Sequence, residues 1–259
     1  MTWLEAAILG LIQGLTEFLP ISSTGHLYIG RKMFGLQDAG MFLDTMLHIG
    51  TFIALIVFYK DTLWKMLKKP FSRVTLLLFA GTVPAVLAGL LFKDFFDGLS
   101  KSGITIGWEF LFTAFFLFFA ERIGKGRKQL EEISIPDALW IGSFQALAIF
   151  PAVSRSGLTI AGALLRGIDK ETAAYFSFLL SIPAVFGALL FQLKDLAEYS
   201  GPGISFLSMF SATVSAAFFG YLAVAFMISF VKKHSMKWFA LYVFVLGTAI
   251  LLLQGAGIF

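Results

Sequence analysis

Phe18-Leu19-Pro20-Ile21-Ser22-Ser23-Thr24-Gly25-His26 interrupts one apolar stretch, and Phe150-Pro151-Ala152-Val153-Ser154-Arg155-Ser156-Gly157 interrupts another 132 residues later. The apolar pieces ahead of these breaks, Leu4 to Leu19 and Ile135 to Phe150, are each about 24 Å long as helices, short of the ~30 Å hydrocarbon core of a bilayer. Each break is followed by only a short apolar piece before Arg31-Lys32 or Arg166. Two helices joined by a polar elbow, dipping in and returning, fit this pattern better than a span. Non-helical backbone at membrane depth is tolerated only where protein or a water-filled cavity receives its polar groups, so both elbows should line one.

The two stretches are copies. With residues 5 to 35 laid on 137 to 167, identities fall at Ala6/Ala138, Gly10/Gly142, Gln13/Gln145, Leu15/Leu147, Phe18/Phe150, Ser22/Ser154, Gly25/Gly157, Gly30/Gly162 and Gly35/Gly167. That is well above the roughly two or three expected by chance for such a composition, and Thr82/Thr213, Val83/Val214, Ala85/Ala216 and Gly89/Gly220 extend it. The chain therefore reads as one membrane domain, 1–259, made of two repeats, about 1–130 and about 131–259. Three spans separate equivalent points of the copies, an odd number, so the second half should be inverted relative to the first.

Composition agrees with a lipid environment. Of 259 residues 58% are hydrophobic and 14% charged, against roughly a quarter charged for a soluble domain. The mean hydropathy of +0.85 and 31 Phe exclude a soluble enzyme, a disordered chain and a nucleic-acid binder. The absence of Cys excludes disulfides, thiolate metal sites and cysteine nucleophiles. Apolar runs near 41–59, 74–92, 104–120, 171–193, 204–231 and 236–258 are long enough to span, which predicts an all-α polytopic protein with six transmembrane helices and two re-entrant helix pairs. The start, Met1-Thr2-Trp3-Leu4-Glu5, has no basic n-region, so no cleaved signal peptide is expected.

Loop charges set an expected orientation. Lys60, Lys65, Lys68, Lys69, Arg73, Arg122, Lys125, Arg127, Lys128, Arg166, Lys170, Lys232, Lys233 and Lys237 fall in loops of one side, 14 of the 20 basic residues. Arg31, Lys32, Lys93, Lys101 and Lys194 fall on the other, so the basic side should be cytoplasmic and both termini outside. The first elbow then enters from outside, the second from the cytoplasm, and the two should meet near the midplane.

Ionisable side chains within the membrane are functional candidates by default, and Glu17, His26, Asp44 and Arg155 are singled out on that ground. Gln13 and Glu17 share one helix face just before the first elbow. Gln13 could equally bond a neighbouring helix, whereas a carboxylate in lipid needs a cation or a donor. Ser22, Ser23, Thr24, Gly25 and His26 offer hydroxyls, a close backbone approach and an imidazole at a helix start, a cradle for phosphate oxygens, although Ser-Ser-Thr could also be only an N-cap. Arg155, between Ser154 and Ser156 and followed by Gly157 and Thr159, supplies the bidentate phosphate partner, or else merely neutralises Glu17. Asp44 and His48, four apart on the next span, are read as a supporting layer or a local pair. His234, among Lys232, Lys233 and Lys237, reads as a solvated residue. The inventory suits phosphoryl transfer. A secondary transporter or flippase for a small anion or lipid phosphate shares the inverted repeats and broken helices, but has no need for His and Glu converging on one cradle. The Ser-Arg pair does not belong to the lipid phosphatases related to vanadium haloperoxidases, which need a His where this chain has Ala161.

At these elbows the sequence resembles the undecaprenyl-diphosphatase, or bacitracin-resistance protein, family of bacterial membranes. One motif is Glu/Gln-x-x-x-Glu followed by Ser-Ser-Thr-Gly-His, here from Gln13 and Glu17 to Ser22-Ser23-Thr24-Gly25-His26. The other is Pro-Gly-x-Ser-Arg-Ser-Gly-x-Thr, here Pro151 to Thr159 with Ala152 in place of the Gly. The resemblance implies hydrolysis of a C55 polyprenyl diphosphate to the monophosphate, in the bacterial cytoplasmic membrane, recycling the lipid carrier of peptidoglycan synthesis. Its expected partners are the polyprenyl lipid substrate and membrane lipid, not nucleic acid, with a homodimer admissible. The expected cofactor is a divalent cation, Mg or Ca, held by Glu17. Expected roles are diphosphate binding by Arg155 and the elbow N–H groups, base or metal ligand for Glu17, attack or proton transfer by His26, and Ser23 as rival nucleophile. With the first elbow entering from outside, a cysteine placed beside Ser23 is expected to react with an impermeant thiol reagent added outside and to be protected by substrate. Labelling from the cytoplasmic side alone would contradict the orientation.

Overall fold

The computed structural model describes residues 1–36, 40–123, 126–197 and 204–258, with backbone alone for 40–41, 93–102 and 195–197. Lys125 of the basic loops thus lies outside the described residues, as do the side chains of Lys93 and Lys101. Among the described residues the fold is all helical, without a β-strand: α1 (Trp3–Phe18), α2 (Ser23–Phe34), α3 (Gly40–Phe58), α4 (Lys60–Lys68), α5 (Arg73–Ser102), α6 (Ile106–Ile123), α7 (Ile135–Leu147), α8 (Arg155–Leu165), α9 (Lys170–Ala197), α10 (Phe206–Lys233) and α11 (Lys237–Gly255). A short 3₁₀ turn, Leu130–Glu132, precedes α7.

Both broken stretches are short helix pairs. Thr2 and Ser134 start α1 and α7 with reciprocal capping boxes to Glu5 and Asp137. The helices end at Phe18 and Leu147, the chain turns through the two elbows, and α2 and α8 run on from serine caps. Of the six expected spans, Arg73–Phe92, Lys170–Lys194, Phe206–Lys233 and Lys237–Gly255 are long and apolar enough to cross a bilayer. A fifth is admitted if α3 and α4, bent by 74°, form one broken span. The sixth, α6, spans 18 residues but carries Glu109, Glu121 and Arg122. Two of these charges face protein: Glu109 is buried, and Glu121, with a 6% exposed side chain, pairs with Lys170. Outward faces are apolar, with Phe79, Leu91, Phe115, Phe210 and Phe218 all more than half exposed, as expected where lipid replaces water.

Packing crosses between the two halves of the chain. α1 lies against α10 and α7 against α5, while α3 packs on α10 and α9 on α5. The closest crossings use small residues, which let backbones approach without interposed side chains. A Cβ on Gly10 would come 2.5 Å from the Ala212 carbonyl oxygen, and one on the equivalent Gly142 would come 2.1 Å from that of Gly81. The α7–α8 pair is closed at its base by Asp137. Its fully buried carboxylate accepts from the Ser134 N–H and hydroxyl, from Arg166 Nε at 2.7 Å and from Lys128 Nζ at 3.1 Å. Burial alone would raise its pKa; these donors outweigh burial and hold the carboxyl well below the usual range. The main core gathers around α8 and α9, and residues 156–164 of α8 are buried throughout, whereas α2 leaves Met33 79% exposed.

These crossings predict opposite effects for the same substitution at two helix glycines. Gly142→Ala drives a methyl into backbone that cannot yield and should lower stability by about 1–3 kcal/mol. Gly89→Ala, whose Cβ would meet nothing within 4 Å, should be neutral or gain up to ~1 kcal/mol. Thermal unfolding of the purified protein in detergent, followed by circular dichroism, checks both. Equal midpoints for the two variants would contradict the crossing geometry.

Candidate active site

α1 presents Gln13 and Glu17 one turn apart on its inner face and ends one residue after Glu17, because Leu19 is extended and Pro20 cannot continue the helix. Ser22, at φ +70°, is the only non-glycine residue with positive φ among those described, and this backbone kink delivers Ser23 as the first residue of α2. Ser22 Oγ accepts the Gly25 N–H at 3.3 Å, and in the other elbow Ser154 Oγ accepts the Gly157 N–H at 3.1 Å. Equivalent serines therefore cap equivalent helices. The start of α8 meets the first elbow: Ser156 Oγ donates to the Leu19 carbonyl at 3.0 Å.

Glu17 joins the two elbows. Its Oε1 accepts from the Arg155 guanidinium, and its Oε2 accepts from the Ser23 hydroxyl at 2.5 Å and from Gln13 Nε2 at 3.0 Å. Its side chain is 8% exposed and that of Arg155 20%, so the remaining contact is with a cavity of about 680 Å³. Glu17, Ser22, Ser23, Thr24, Ser154 and Arg155 line one wall. Asp44, His48 and Arg31 also line the cavity, together with Thr82, Thr105, Gln145 and Gln192 and with apolar side chains of α5 and α9, including Val86, Leu90, Val185 and Phe191. A polar end and an apolar slot between two long helices suit a molecule with a charged head and a hydrocarbon tail.

Not every expected residue faces this cavity. Gln13 is fully buried behind Glu17, and Thr159 turns away, bonded to the Arg155 carbonyl and to Ser177 Oγ on α9. Ser156 and Gly157 lie behind Arg155. Gly25 is needed for packing, since a Cβ there would sit 2.5 Å from the Phe110 ring. His26 departs most from expectation. Nδ1 lies 2.7 Å from the Ser22 carbonyl, which can only accept, so Nδ1 carries the proton. In the neutral ring Nε2 must then accept from the Tyr242 hydroxyl at 2.8 Å. The ring stacks on Tyr242, meets Phe110 edge-on and is not among the cavity walls. Both nitrogens are occupied, and the imidazole braces the kinked Ser22.

Three contributors escaped the reading from sequence. Arg31, counted there with the outer loops, lines the cavity and makes a two-pronged pair with Asp44. Only the meeting of α2 with α3 shows this, since spacing along one helix reads Asp44 and His48 as a supporting layer or a local pair. His48 instead has Nδ1 3.5 Å from Gln192 Nε2 of α9. Tyr242 comes from α11, more than 200 residues away. Glu109 was legible by the rule that singled out Glu17, an ionisable residue within an apolar run, and it accepts the Ala152 N–H of the second elbow. Among the described residues no group of three Asp, Glu or His forms a preformed metal site.

A protein-family model described as "Bacitracin resistance protein BacA" matches residues 6–249. Over 259 residues covering the whole of both proteins the chain is 60% identical to "Undecaprenyl-diphosphatase 3" of Bacillus cereus. It is 48% identical to "Undecaprenyl-diphosphatase" of Carboxydothermus hydrogenoformans, again over the whole of both, and 39% identical to that of Halothermothrix orenii over 97% of this chain and 98% of the other. The chain belongs to the bacitracin resistance protein BacA family.

Proposed function

We propose that this multi-pass membrane protein hydrolyses undecaprenyl diphosphate to undecaprenyl phosphate and inorganic phosphate, and so recycles the lipid carrier of peptidoglycan synthesis. The observation that carries the mechanism is the Ser23–Glu17–Arg155 chain, in which one carboxylate touches a hydroxyl and a guanidinium at the same cavity wall. The relatives' names support the substrate, and the apolar slot beside the polar wall supports a lipid.

In the proposed reaction the terminal phosphate lies against Arg155 and the start of α2, whose N–H groups and helix dipole favour an anion. Glu17 takes the Ser23 proton as Oγ attacks the terminal phosphorus. The bond from that phosphorus to the bridging oxygen breaks, and polyprenyl phosphate leaves. Water then attacks the phosphoserine phosphorus, the bond from phosphorus to Ser23 Oγ breaks, Oγ takes back the proton held by Glu17, and inorganic phosphate leaves with the oxygen of the water. Arg155 exchanges its bond with Glu17 for one with the phosphate, offsetting charge as it develops. Arg31, which also lines the cavity, is suited to the second phosphate. His26 acts on this chemistry only by holding Ser22.

For a divalent cation, the donor set argues against a cage made by the protein alone, because Glu17 is already occupied at both oxygens. Magnesium is commonly held by one or two carboxylates together with substrate phosphates. Mg or Ca would therefore arrive with the diphosphate, with Glu17 and Asp44 the nearest carboxylates on the cavity wall, and would neutralise part of the diphosphate charge. The swapped packing of α1 on α10 and α7 on α5 supports the inverted repeat, and the loop charges support termini on the outer side with the cavity opening outward. The Ser23–Glu17 contact favours an enzyme over a carrier, which has no use for an activated hydroxyl.

Phosphate release from C55 diphosphate by the purified protein tests the activity, and its absence would return the carrier reading. Ser23→Ala and Arg155→Ala are each expected to lower kcat/KM by about a hundredfold or more. His26→Asn, whose amide can still donate to the Ser22 carbonyl, should cost less than about tenfold; a loss equal to that of Ser23→Ala would return His26 to the reaction centre. Stripping divalent cations with a chelator is expected to raise KM, with recovery on adding Mg or Ca. Full activity in excess chelator would remove the cation from the scheme.

A further inference from the structure

The second elbow is held by α6 at its amides between Pro151 and Ser154. Pro151 has no N–H, and the Val153 N–H bonds the Phe150 carbonyl at 3.1 Å within the turn. The two amides on either side of Val153 point out of the turn. Ala152 N–H donates to Glu109 Oε2, and Ser154 N–H donates to Thr113 Oγ1 at 3.1 Å. Thr113 in turn donates to the Glu109 carbonyl at 3.1 Å, and Thr105 donates to Glu109 Oε1 at 2.5 Å. Glu109 is 5% exposed and Ala152 and Thr113 are fully buried, so water does not replace these partners. A carboxylate is the side chain that takes two converging donors, a hydroxyl and an amide, with charge-assisted strength. The residue after Ser154 is Arg155, the first residue of α8, and the angle at which this helix begins sets where its guanidinium reaches.

We propose that Glu109 is a positioning residue of the active site, fixing through the Ala152 amide, with Thr113 on Ser154, the elbow that aims Arg155 at the diphosphate. The inference rests on the reading that Arg155 binds that diphosphate. It assigns a purpose to a buried carboxylate that lies outside both elbow motifs and off the cavity wall.

The test uses the full chain in detergent, with two readouts. Glu109→Met keeps length but has no strong acceptor, and it should lower kcat/KM by about tenfold or more, as a misplacement of order 1 Å does. It should also speed hydrogen exchange of the peptide 149–155. Glu109→Gln can turn its amide oxygen to the Ala152 N–H and its Nε2 to the Thr105 hydroxyl, which can rotate to accept. It should recover kcat/KM to within about threefold of wild type. In an Arg155→Lys background, where the planar fork is already lost, Glu109→Met should add less than about twofold. The same tenfold loss in both backgrounds, no recovery with Gln, or unchanged exchange at 149–155 would overturn the proposal. If Glu109→Met does not fold, Thr113→Val, which frees the Ser154 N–H alone, takes its place with the same expectations. Should the wild type release no phosphate, the phosphatase reading fails, and exchange at 149–155 still decides whether Glu109 holds the elbow.

Discussion

A carboxylate buried in an apolar protein costs several kcal/mol unless cations and donors surround it, and Glu17 obtains its partners from places far apart in the sequence. Gln13 lies one turn back, Ser23 is across the first elbow, and Arg155 belongs to the other half of the chain. Removing Arg155 would leave a charge uncompensated, a change worth about 3–5 kcal/mol in buried pairs. Glu17 therefore does more than stabilise: its requirement for a cation holds the two elbows together. The same bonds bring a hydroxyl, a carboxylate and a guanidinium together, so the geometry that satisfies the buried charge is also the geometry on which the proposed phosphoryl transfer is built.

The surrounding helices make that meeting possible. Lipid offers no hydrogen bonds to a broken backbone, so the elbows are confined to the interior, and α8 is buried almost completely. Small residues at the α1–α10 and α5–α7 crossings bring backbones close and leave room for two short helices within a bundle of long ones. The elbows differ in how they are kept in shape. The first is kinked at Ser22 and braced by His26 and Tyr242; the second is held at its amides by Glu109 and Thr113. Arg31 and Asp44 also line the cavity, and α5 and α9 contribute its apolar side chains.

The broken helices, the long apolar helices and the Glu17–Arg155 meeting were legible in the sequence because they follow from local rules: apolar run length, proline breaks and the cost of a charge in lipid. The setting of His26 was not. Residue type and proximity to Ser23 make it a candidate for attack or proton transfer, while the direction of its ring depends on Phe110 and Tyr242, which only tertiary packing brings near. Arg31 was misassigned to a loop for the same reason, since its partner Asp44 lies on another helix. Run length alone reads 104–120 as a span, and the acidic charges of α6 are accommodated because Glu109 and Glu121 both turn inward to partners of the second half, Ala152 and Lys170.

The central claim is that Ser23, activated by Glu17, attacks the terminal phosphorus. Rapid acid quench of the wild-type protein during turnover of C55 diphosphate labelled in its terminal phosphate, followed by peptide mass spectrometry, measures this directly. The label is expected on Ser23. Label on His26, or direct entry of solvent oxygen into phosphate with no labelled peptide at any quench time, would contradict it.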